Sequence, residues 1–66
     1  MENRKMIRRP EVEAITGLSR STIYAKMENG TFPKPIKLSV RSVAWVASEV
    51  TDWINDRISA TRGGAE

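Results

Sequence analysis

The chain has 66 residues and a net charge of +3, with no cysteine and no histidine. A domain of this length buries only about 60% of the surface its unfolded chain exposes, so it has room for one small core and hardly for a catalytic cleft. The missing thiols and imidazoles remove disulfides, thiolate metal sites, the usual zinc ligand and the usual general base, and no apolar run nears the ~20 residues of a membrane span.

Residues 1–6 are expected to form a flexible tail, residues 7–60 one domain and residues 61–66 a second tail. The apolar pattern begins at Met6 and Ile7. A first helix is predicted from Pro10 to Thr16, because proline is favoured in the first turn and Glu11 and Glu13 complement the helix dipole there. Val12 and Ile15 are spaced i, i+3 and predict its buried stripe. Glu11 and Glu13 themselves, at i and i+2, point apart and make no metal site or acid–base pair.

The segment Gly17-Leu18-Ser19-Arg20-Ser21-Thr22-Ile23-Tyr24 reads as a tight turn followed at once by a second helix. Gly17 can end the first helix in the left-handed region. Leu18 is expected to face inward, and Ser19 is a good N-cap. The second helix is predicted from Arg20 to Asn29, with Ile23 and Met27 facing the core and Asn29-Gly30 as its stop. Pro33 and Pro35 then force extended geometry on the residues before them, and Phe32 is expected to pin this loop to the core.

Residues 36–46 change to a period of two. Ile36 and Leu38 alternate with Lys37, and Val43 and Trp45 are expected on one face with Ala44 on the other. Ser39 to Ser42 join the two runs, so a small hairpin is predicted with Lys37 and Arg41 at its exposed edge. A third helix is expected to start with Ser48 as N-cap and to end near Ala60, burying Val50, Trp53, Ile54 and Ile58. Trp45 and Trp53 both lie on apolar stripes and are expected in the core rather than on a stacking platform for single strands.

The fold class that follows is mainly α with a small β-hairpin: three helices and a two-stranded wing, a winged helix-turn-helix. Charge supports a nucleic-acid reading. Residues 1–46 carry nine bases against four acids, and residues 47–66 carry two bases against four acids. A basic portion joined to a mildly acidic helix suits a protein that lays one side on a polyanion. Arg20 stands near the positive end of its helix dipole, where an external anion would compensate it. The candidate DNA-binding residues are Arg9, Ser19, Arg20, Ser21, Thr22, Tyr24, Lys26, Lys34, Lys37 and Arg41.

These stretches resemble one family. Glu11-Val12, the turn-helix Gly17 to Tyr24, Asn29 to Leu38, Val43-Ala44-Trp45 and Ser48 to Ile54 are similar to the AlpA-type phage and prophage regulators. That family is in turn similar to MerR-type DNA-binding domains and phage excisionases. The resemblance covers about Ile7 to Ile58. It implies that the second helix enters the major groove and that the wing touches flanking phosphate or the minor groove. It implies transcriptional control of mobile-element genes, or excision together with an integrase. The wing loop Ser39-Val40-Arg41-Ser42 lacks the glycine that many relatives carry there. The expected partners are double-stranded DNA and either a second copy or an integrase. No cofactor, metal or membrane is expected, and with no signal-peptide pattern the address is the bacterial cytoplasm, on the nucleoid when bound. The rival from another class is a protein-interaction module that uses Trp53 and Ile58.

Overall fold

The computed structural model describes residues 5–63, which form three strands and three helices. Strand β1 (Met6–Ile7) leads into helix α1 (Arg9–Thr16) and helix α2 (Arg20–Glu28). Strands β2 (Ile36–Ser39) and β3 (Ser42–Val46) form the hairpin, and helix α3 (Ala47–Gly63) follows β3 with no intervening loop. The expected mainly α winged helix-turn-helix is the fold observed.

Local chemistry explains most element boundaries. Arg8 N-caps α1 in extended geometry; its side chain makes no capping bond, and Pro10 sits in the first turn. Gly17 ends α1 at φ 74°, and its N–H donates to the Glu13 carbonyl at 2.8 Å. This is the single-bond left-handed cap that glycine allows. Helix α2 ends in a Schellman pair: Gly30 N–H donates to the Met27 carbonyl and Thr31 N–H to the Lys26 carbonyl, at 3.1 and 2.9 Å.

The loop from Thr31 to Pro35 has no ladder partners for its carbonyls, and both tryptophans serve it. Trp45 donates its indole N–H to the Pro33 carbonyl at 3.0 Å, and Trp53 donates to the Thr31 carbonyl. Phe32 enters the core between them at 4% exposure, its ring edge-on to Trp53 with centroids 4.9 Å apart. Phe32 is thus the anchor that its place in the sequence predicts.

The core joins Ile7, Val12, Ile23, Phe32, Trp45 and Val50, with Leu18, Met27, Ala47, Trp53 and Ile54 packed around it. Each helix contributes one fully buried aliphatic, and the central strand contributes the large ring.

Several expectations are corrected. The sheet has three strands in the order β1-β3-β2, all antiparallel, because Met6 pairs with Val46 and Ile7 with Trp45. The expected tail therefore shrinks: Met6 belongs to the sheet, and the Lys5 carbonyl accepts from Ala47 N–H at 2.8 Å. That bond helps fix the start of α3 at Ala47 rather than after a Ser48 cap. At the other end α3 runs through Arg62 to Gly63, where a second tail was expected from residue 61. The remaining tail residues, 1–4 and 64–66, lie outside the described residues.

Burial departs from the sequence pattern in four places. Ala44, Trp45 and Val46 are all buried while Val43 is 36% exposed. Strand β3 is the central strand and is covered on both faces over these residues; such strands read as continuous apolar runs. Ile15 is 46% exposed, because an i+3 step turns it about 60° from Val12, away from α2 and β3, the elements on which α1 mainly packs. Trp53 is half-buried and Ile58 is 42% exposed, since the second half of α3 extends past the elements that cover Val50. Every residue of β2 is exposed, Ile36 and Leu38 included. A register shift between Lys37 and Ser39 adds a bulge at this edge of the sheet.

Candidate nucleic-acid interface

The turn between α1 and α2 is held by short-range bonds. The Thr16 hydroxyl donates to the Val12 carbonyl and accepts from Leu18 N–H, at 2.6 and 3.2 Å. Leu18 thereby turns toward the core, and Ser19 is left in extended geometry as the N-cap of α2. Its hydroxyl accepts from Thr22 N–H at 3.2 Å and lies 2.9 Å from the Thr22 hydroxyl. Replacing Ser19 by alanine is expected to lower stability by about 1 kcal/mol, read as a lower urea midpoint at unchanged slope. Ser19→Asp should retain the cap.

This geometry sorts the first turn of α2. The Ser19 and Thr22 hydroxyls bond each other, and that of Ser19 also accepts from Thr22 N–H. Arg20 and Ser21 are exposed and make no side-chain bond among the described residues. The first turn of α2 contains no acidic residue, so positive charge and free backbone N–H groups face solvent together. The Arg20 guanidinium carbon lies 5.7 Å from the centroid of the Tyr24 ring. The sequence signal for that pairing is their i, i+4 spacing.

The other candidates are more scattered. Arg9 is tied to Glu13 within α1 by a 2.9 Å ion pair. Lys26 is half-buried in the last turn of α2. Lys34 is exposed between the two loop prolines, Lys37 is exposed opposite Val43 on β2, and Arg41 is exposed in the turn between β2 and β3. No hydrogen bond or ion pair among the described residues links these three to α2 or to one another.

The opposite charge is collected elsewhere. An open recess of about 440 Å³ is lined by Phe32, Trp53, Glu49, Asp52 and Asp56, and its carboxylates repel a polyanion. No helix among the described residues is long and apolar enough to cross a membrane.

A helix-turn-helix whose second helix opens on exposed Arg and Ser, followed by a hairpin paired into a small sheet, defines a winged helix. The family model described as prophage CP4-57 regulatory protein (AlpA) matches residues 5–58. The chain belongs to that family of phage and prophage regulators. It is 45% identical over 60 residues to an uncharacterized protein, ORF88, of Enterobacteria phage P4, covering 91% of this chain and 68% of that protein. It is 36% identical over 66 residues to the DNA-binding transcriptional activator AlpA of Escherichia coli (strain K12), covering 86% of this chain and 94% of that protein.

Proposed function

We propose that this chain is a sequence-specific, double-stranded-DNA-binding regulator of prophage or mobile-element transcription. The observation that carries the reading is the capped start of α2, with Arg20 and Ser21 exposed and no acid in the first turn. A recognition helix meets base edges with those positions. Membership of a regulator family and the activator named among its relatives support the same reading. Arg20 and Ser21 contact bases, with Ser19 and Thr22 holding the helix start. Tyr24 and Lys26 border the helix, and Lys34, Lys37 and Arg41 bind phosphate from the loop and wing. Arg9 is the weakest member of this set, because Glu13 already neutralises it. The protein acts in the cytoplasm, and a domain this small gains specificity from a second copy or another protein on the same DNA.

The wing supplies a direct test. Lys37→Ala and Arg41→Ala are expected to weaken binding to operator and random duplexes alike, since phosphate contacts carry little sequence information. Each should flatten the dependence of log affinity on log salt by about one unit. Wild-type binding by both variants at every salt concentration would make the hairpin a purely structural element. A footprint on the native locus separates the two biological roles: one operator beside a promoter marks transcriptional control, whereas phased sites inside an attachment region mark excision with an integrase. Affinity insensitive to salt would remove the DNA reading altogether.

A further inference from the structure

We infer that Tyr24 is a positioning residue for Arg20, and that the pair reads a guanine in the major groove. The inference rests on the reading of α2 as the recognition helix. Arg20 is the first residue of α2 and lies beside the positive end of the helix dipole. No acid in the first turn offsets that charge, and among the described residues no carboxylate pairs with Arg20. The contact recorded for its guanidinium is the Tyr24 ring, one helical turn on, at 5.7 Å from the centroid. A cation within about 6 Å of an aromatic centroid is attracted by the ring quadrupole.

The type of contact matters for readout. Among the described residues no side-chain hydrogen bond occupies the Arg20 N–H groups, and a guanidinium held over a ring can stack flat and present those edges outward. Two parallel N–H donors on one edge match guanine O6 and N7. An arginine already directed by the ring loses less rotamer freedom on binding than one that swings in solvent. The other side chains of the first turn do not compete for this role. The Ser19 and Thr22 hydroxyls are occupied with the cap, and Ser21, with a single hydroxyl, lacks the two parallel donors. Tyr24 is 37% exposed and outside the core cluster, and circular dichroism of each variant checks that α2 stays folded.

The test is a double-mutant cycle on two duplexes, one recovered by selection with the wild-type protein and one scrambled. Tyr24→Phe keeps the ring and is expected to keep the wild-type preference for the selected over the scrambled duplex. Tyr24→Leu, in a good helix former, should lose about two- to fivefold on the selected duplex, the effect of an exposed cation–π contact. On the scrambled one it should lose no more than Tyr24→Phe does. In an Arg20→Ala background Tyr24→Leu should change nothing further. NMR of the free protein gives a readout independent of DNA: the Arg20 δ protons should show a ring-current shift in wild type and Tyr24→Phe, absent in Tyr24→Leu. Equal losses for Tyr24→Phe and Tyr24→Leu on both duplexes would mean that the hydroxyl binds phosphate, which overturns the inference. An unshifted Arg20 in the wild-type protein overturns it too. If Arg20→Ala costs base preference and Tyr24→Leu adds an independent loss, α2 stands as the reading helix and only the pairing falls. If Arg20→Ala is silent on both duplexes, the assignment of α2 falls first and takes the pairing with it.

Discussion

Trp45→Ala is expected to leave most of the protein unfolded at room temperature. Trp45 is the largest of the fully buried side chains and has no exposed surface. It sits on the central strand, opposite Ile7 of β1, and belongs to the single core cluster. Truncating a large core ring costs about 3–5 kcal/mol. A domain of this size has about 3–10 kcal/mol in total, at the usual stability per residue. The change also strips the Pro33 carbonyl of its donor at 3.0 Å, and leaving such a group unpaired adds about 1–3 kcal/mol where it stays away from water. Trp45→Phe separates the two contributions, because it keeps an apolar ring and loses the N–H. It should fold with a clearly lowered urea midpoint. Circular dichroism and urea denaturation followed by Trp53 fluorescence provide the measurement. A wild-type midpoint for Trp45→Ala would mean that the core lies elsewhere. Trp53→Ala should cost less than Trp45→Ala, because Trp53 is half-buried and packs on Phe32 from the side of the open recess.

Arg20→Ala has the second largest expected effect, on binding and not on folding. The residue is exposed and outside the core cluster, and alanine is a better helix former at that position. Thermal stability should therefore equal or slightly exceed that of wild type. On the operator the variant should lose about 1–3 kcal/mol and its preference at one base position, the cost of removing a bidentate base contact. Selection from randomised duplexes with wild type, Arg20→Ala and Ser21→Ala measures both quantities together. A uniform loss on all sequences with the consensus preserved would make Arg20 a phosphate clamp. Unchanged affinity and consensus for both variants would show that α2 is not the reading helix.

Much of the site was legible because its parts are local. The Gly17 cap, the Ser19 hydroxyl on Thr22 N–H and the Asn29-Gly30 stop each join residues no more than five apart. Their outcome depends on backbone geometry that a few consecutive residues impose. The two prolines excluded a helix in the loop for the same reason, and Phe32, the one large apolar residue there, had only the core to enter. The charge split between the first 46 residues and the rest also survived folding, with the carboxylates Glu49, Asp52 and Asp56 gathered on α3.

What a period cannot show is which arc of an element a neighbour will cover. Val12 and Ile15 look equivalent as a stripe, yet Val12 is fully buried and Ile15 is 46% exposed, because α2 and β3 cover the arc that holds Val12. Ile54 and Ile58 differ likewise: one touches the core cluster and the other lies past its end. Strand β1 is two residues long and carries no pattern of its own; it exists because Trp45 and Val46 on the central strand offer it a free edge. The indole bonds to Thr31 and Pro33 span 22 and 12 residues. Thus the amino-acid sequence by itself determined the Gly17 and Gly30 stops, the turn, the hairpin and the exposed basic start of α2, since these follow from contacts within a few residues. The third strand, the unequal burial of the two tryptophans and the bounds of α3 became definite only in the tertiary structure. There the limited apolar surface of a small domain decides which side chains are covered and which charges remain free.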